Sequence, residues 1–108
     1  MSVKWDANKG IAENIFQTIG RTPLVRFHSV TRGLKPEILG KIEWFSPTGS
    51  LKDRIFYEMI TRAIEDGDLK PGMEIIETST GNAGIACSFV GKMLGYKVTI
   101  VMPDGMSE

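Results

Sequence analysis

The stretch SPTGSLKDR, Ser46 to Arg54, decides how the chain is read. Pro47 and Gly49 break any strand before them, and Ser50 followed three residues later by Asp53 has the form of a capping box, so a helix opens here. Lys52 then falls in its first turn. Backbone N–H groups of a first turn lack intrahelical partners and carry the positive end of the helix dipole, which disfavours an ammonium and favours a neutral amine or a bound anion. A neutral amine can attack a carbonyl. A solvated surface lysine has the same local pattern, and spacing alone does not separate the two.

Downstream of this string, Leu51, Ile55, Phe56, Met59, Ile60, Ala63 and Ile64 recur at helical spacing, so one stripe can cover a sheet. Asp66 and Gly67 stop that helix, and Pro71 with Gly72 turns the chain. Met73 to Ser79 reads as a strand, Thr80 to Gly84 as a Gly-rich turn, Ile85 to Leu94 as a second helix and Tyr96 to Met102 as another strand, broken by Pro103. Upstream, Glu37 to Phe45 (EILGKIEWF) reads as a strand with Ile38, Ile42 and Trp44 on one face, and Gly40 permits close backbone approach. Ile11 to Ile19 suggests a short helical turn ended by Gly20. Leu24, Val25 and Phe27 form a short extended segment after Thr22 and Pro23. Residues 1–10, apart from Trp5, read as a polar arm.

The order strand, helix, strand, helix, strand requires parallel pairing with crossover helices on the faces. The expected fold is α/β, a doubly wound, three-layer βαβαβ piece, with residues 1–36 as an N-terminal arm and 37–108 as the α/β unit. Parallel sheets bind ligands at the carboxyl ends of their strands, and both special loops, Ser46–Ser50 and Ser79–Ala83, fall there.

The 108 residues are 42% hydrophobic and 24% charged, which fits one globular α/β unit. Thirteen basic and thirteen acidic side chains cancel, and no run of one sign points to nucleic acid or an anionic membrane. The lone Cys87 cannot form an internal disulfide and reads as a core residue. No segment has the length and apolarity of a membrane span or a signal-peptide core, so cytoplasm is the default location. The P-loop and GxGxxG spacings are absent, and so is any metal-ligand spacing. His28 reads as a surface or satisfied histidine, and Trp44 and Phe45 as packing residues.

SPTGSLKDR resembles the cofactor-lysine segment of the cysteine synthase and cystathionine β-synthase family, fold-type II enzymes that use pyridoxal 5'-phosphate; there the string usually begins with Asn where this chain has Ser46. IGRTPLVRF (Ile19–Phe27), ETSTGNAG (Glu77–Gly84) and MPDGMSE (Met102–Glu108) agree with the same family in the same order. The resemblance implies that Lys52 forms the internal Schiff base and later removes the substrate's α-proton. In the family, a loop often written TSGNT binds the substrate carboxylate. Carried over, this makes Ser79, Thr80, Gly81 and Ala83 substrate contacts and Asn82 the contact to the ring hydroxyl, although Ala83 replaces a residue that usually carries a hydroxyl. The resemblance covers about the first third of the family's length. Its phosphate loop and ring-nitrogen contact come later in the family's chain, and its N-terminal arm crosses to the larger domain.

The implied function is β-replacement on an O-activated serine with sulfide or a thiol, as in cysteine biosynthesis. A related lyase or dehydratase is the alternative within the family, although no His follows Asn82 as in the dehydratase form SAGNH. A non-catalytic fragment or subunit is the alternative outside it. A homo-oligomer is expected from unpaired strand edges and uncovered apolar faces.

Overall fold

The computed structural model describes residues 10–105. Trp5, the rest of the arm before Gly10 and the end of the MPDGMSE string lie outside the described residues. Four strands and two α-helices follow in order: β1 Leu24–Arg26, β2 Leu39–Lys41, α1 Lys52–Glu65, β3 Glu74–Thr78, α2 Asn82–Met93 and β4 Lys97–Val101. Among the described residues, two short 3-10 turns, Ile15–Thr18 and Glu43–Phe45, precede β1 and α1.

The α/β class holds, with β3 and β4 parallel and α2 as the crossover between them. Their register runs from Glu74 opposite Lys97 to Thr78 opposite Val101. On one face Ile75, Val98 and Ile100 meet α2. Contact is close because α2 presents Gly91 there: a Cβ at that position would stand 2.5 Å from Val98 Cγ2. On the other face Ile76 and Val101 are exposed, and no helix of the described residues covers them.

The first strand expected in the βαβαβ order departs from expectation. Only Leu39–Lys41 of the 37–45 segment is extended, and it pairs antiparallel with β1 in a separate two-stranded sheet. The ladder ends where Ile42 N–H donates to Pro23 O at 2.9 Å, and the chain then coils because the Glu43 side chain is drawn to α1. Trp44 and Phe45, expected as packing residues, are 67% and 61% exposed, with ring centroids 6.4 Å apart. Gly40 does serve a close approach, lying under the ring of Phe27.

The core lies where α1 packs on α2. Phe56 and Ile60 from α1 meet Ala86, Cys87 and Val90 from α2, all buried. Half of the predicted stripe is used in this way; Leu51, Ile55 and Met59, on its other flank, are exposed. Phe16, from the 3-10 turn Ile15–Thr18, packs across both helices, 5.0 Å from the Tyr57 ring and 5.8 Å from the Phe89 ring. Cys87 is fully buried, as expected of a core residue, and burial pushes its thiol pKa up, with the charge of Glu77 adding to the effect.

Candidate functional site

Lys52 is the first residue of α1 and is half-buried. The capping box appears in altered form. Ser50 Oγ accepts the Lys52 N–H at 3.2 Å, but Asp53 reaches past Ser50 to Thr48, accepting its N–H at 2.8 Å and its hydroxyl as well. Asp53 is fully buried, so the bond holds the loop from inside. Gly49 N–H donates to Ser46 O at 2.8 Å and tightens the same loop. Ser46 Oγ is buried and has no hydrogen-bond partner among the described residues.

A second brace comes from outside. Arg54 Nε donates to Glu43 Oε2 at 2.8 Å, joining the two ends of the segment that delivers Lys52. The Arg54 and Thr22 hydrogen bonds hold the Glu43 carboxyl at a pKa of about 2, well below the usual range. These bonds link residues far apart in sequence, and no local spacing announces them. Arg54 at the end of the SLKDR string was the one available signal.

The second loop differs from expectation in where its helix begins. α2 opens at Asn82 instead of Ile85, so Asn82, Ala83 and Gly84 form its first turn. Ser79 Oγ makes this possible by accepting the Gly84 N–H at 2.7 Å and the Gly81 N–H at 3.2 Å, a cap set from outside the helix. The N–H groups of Asn82 and Ala83 find no acceptor among the described residues. Thr80, Gly81 and Asn82 are exposed, while Ser79 and Ala83 are half-buried. Beside this turn, Ser79, Gly81, Gly84, Ile85, Ile100 and Met102 line a shallow depression of about 470 Å³; Lys52 does not line it.

Topology, rather than direct bonding, relates Lys52 to the STGNAG turn. Leu69 N–H, just past α1, donates to Ala63 O at 2.9 Å, and Ala63, Leu69 and Glu74 share one groove. α1 therefore returns at the start of β3, and α2 departs from its end, so both helices open towards the carboxyl end of β3. His28 is exposed. No helix of the described residues is long and apolar enough to cross a membrane.

The structure thus sets a half-buried lysine at the first position of α1 and two open backbone donors in the first turn of α2, on an α/β scaffold. The chain belongs to the family described as pyridoxal-phosphate dependent enzyme, whose profile matches residues 15–108. It is similar to the cystathionine beta-synthase of Apis mellifera, 45% identical over 100 residues that make up 91% of this chain and 20% of that protein. It is similar also to the cysteine synthase of Dictyostelium discoideum, 40% identical over 101 residues, 94% of this chain and 27% of that one. Among solved structures, O-acetyl serine sulfhydrylase isoform 3 from Entamoeba histolytica superposes with a TM-score of 0.86 at 50% identity, covering 92% of this chain and 31% of that one. The chain thus spans between a fifth and a third of the length of these relatives.

Relatives in this family use pyridoxal phosphate, and the residues present fit part of it. The primary amine of Lys52 suits its aldehyde, and the open amides at Asn82 and Ala83 suit an anionic group on a substrate joined to it.

Proposed function

We propose that the chain supplies the cofactor anchor and the substrate-carboxylate loop of a β-replacement enzyme. The substrate is an O-activated serine, the incoming nucleophile is sulfide or a thiol, and the role is cysteine biosynthesis in the cytoplasm. Lys52 is the anchoring amine, the Asn82 side chain contacts the cofactor ring, and the turn of Ser79, Thr80, Gly81 and Ala83, with the Asn82 backbone N–H, forms the carboxylate position. One observation carries the reading: a braced lysine and two free helix-terminal donors open towards the same end of β3.

When bound, pyridoxal phosphate supplies an electron sink for the α-carbon of the amino acid. The chain's own residues supply the anchor, the orientation of the substrate and a base. Lys52 holds the cofactor through Nζ and, once released, takes the α-proton there as a free amine. The N–H groups of Asn82 and Ala83 bind the carboxylate, which orients the α-carbon. Ser79 keeps those donors aimed by capping Gly84. Ala83 contributes only its backbone, so the Thr80 hydroxyl is the side-chain donor left to the carboxylate.

The test is addition of pyridoxal phosphate to the 108-residue chain, borohydride reduction and peptide mapping. Condensation joins Nζ to the aldehyde carbon with loss of water, and reduction fixes the bond. Label at Lys52, absent in Lys52→Ala, is expected, and label spread over other lysines would count against the anchor. In the same preparation, cysteine formed from O-acetylserine and sulfide would support β-replacement. A ketoacid from serine or threonine instead would replace β-replacement by the lyase or dehydratase reading.

A further inference from the structure

Glu43 and Arg54 stand at the two ends of the segment that delivers Lys52, and Arg54 grips Glu43 at two points. Its Nε donates to Oε2 at 2.8 Å and its second terminal nitrogen to Oε1 at 3.2 Å, a fork that a lysine cannot copy. The same nitrogen donates to Gly20 O at 3.0 Å and Thr22 Oγ at 2.9 Å. Thr22 donates its own proton to Glu43 Oε1 at 2.8 Å and accepts from Lys41 Nζ at 2.6 Å. One proton and both lone pairs of that hydroxyl are in use. Gly20, at φ 83°, leaves room for the guanidinium, because a Cβ there would lie 2.8 Å from an Arg54 terminal nitrogen. Two segments distant in sequence, 20–22 and 41–43, therefore converge on a side chain two residues from Lys52.

Resting on the reading of Lys52 as the anchoring amine, we propose that Arg54 is a positioning residue, which with Glu43 and Thr22 fixes the turn carrying Lys52 and so sets how readily its amine meets a carbonyl. Asp53 braces the inner side of that turn through Thr48, and the Arg54 cluster braces its outer side. The arm, through Gly20 and Thr22, is part of this second brace.

The test compares Arg54→Lys and Thr22→Val with a control on the same helix, Arg62→Lys, whose ion pair with Glu58 is exposed. Two readouts are taken on the 108-residue chain: amide exchange at Gly49 and Lys52, and the rate of borohydride-trapped labelling of Lys52 by pyridoxal phosphate. Both test variants should speed exchange at these loop amides roughly tenfold or more, with β3 and β4 unaltered, and slow labelling by a similar factor. The control should change neither. Loop exchange equal to wild type overturns the proposal, as does a rise spread evenly over β3 and β4, which is what general destabilisation gives. Wild type labelled at Lys52 at the same rate as Arg54→Lys refutes the positioning role alone. Wild type without label at Lys52, while loop exchange still responds to Arg54→Lys, refutes the anchor reading on which the role rests.

Discussion

Replacing Asp53 by alanine tests whether the loop before Lys52 is held from inside. The carboxylate is fully buried and accepts both the N–H and the hydroxyl of Thr48. Hydrogen bonds to a charged group contribute about 1.5–3 kcal/mol each, but Thr48 is half-buried and water can reach its freed donors. Relief of carboxylate desolvation offsets a further part, while loss of a negative charge in the first turn of α1 costs about 0.5 kcal/mol. The balance is a loss of about 2–3 kcal/mol, which for a domain near this size lowers Tm by roughly 10–20 °C. Asp53→Asn keeps one acceptor and should lose about half as much. Thr48→Val keeps the N–H bond and should lose about 1 kcal/mol. Urea unfolding followed by circular dichroism reads all three. If Asp53→Ala matched wild type within about 0.5 kcal/mol, as an ordinary surface change does, the inner brace would be refuted.

Two further outcomes follow from the same structure. Glu43 has a folded pKa of about 2 against an ordinary 4.5, so its contribution is fully present above pH 4.5 and is lost as pH falls towards 2. Its side chain is 24% exposed; discounted for solvent screening, the contribution is about 1–2 kcal/mol. The difference in unfolding free energy, read from urea titrations, between wild type and Glu43→Gln should shrink by about three-quarters of that amount between pH 6 and pH 2.5, and a constant difference would refute the assignment. The exposed Leu24, Val25, Ile76 and Val101 support a homo-oligomer, and sedimentation velocity at high concentration should show species larger than the monomer. A single monomer peak would count against it.

What was legible in the sequence was what neighbours in the chain decide. α1 follows from a stripe of apolar residues ended by Asp66 and Gly67, and β3 and β4 follow from short β-rich runs bounded by Gly and Pro. The two loops were found because Gly, Pro, Ser and Thr mark breaks at fixed offsets. Pattern and structure part where a side-chain partner outweighs local spacing, across a loop in one case and five residues away in two. Glu37–Phe45 alternates like a strand, but Arg54 claims Glu43 across the loop, and the backbone coils to deliver it. The pattern starts α2 late because STGNAG is poor in helix formers; Ser79 Oγ compensates by taking an orphan donor from Gly84. The capping-box spacing pairs Ser50 with Asp53, yet Thr48 offers Asp53 two donors where the Ser50 backbone offers one.

The three residues Lys52, Asp53 and Arg54 also explain why so short a string can be decisive. Successive residues of an α-helix project about 100° apart, so three in a row divide the circumference among three directions. Asp53 takes the direction that returns under the loop, where it is fully buried on Thr48. Arg54 takes the direction of the arm and Glu43. Lys52 is left with the third, half-buried and bonded through its own N–H to Ser50. Exchanging Lys and Asp would bury an amine against the donors of Thr48, and exchanging Asp and Arg would aim a carboxylate at the carbonyl of Gly20 and the carboxylate of Glu43. The first exchange thus loses the inner brace and displaces the lysine, and the second loses both braces. The order of the three is therefore a geometric requirement of the turn, set by partners at Thr48 on one side and at Gly20, Thr22 and Glu43 on the other.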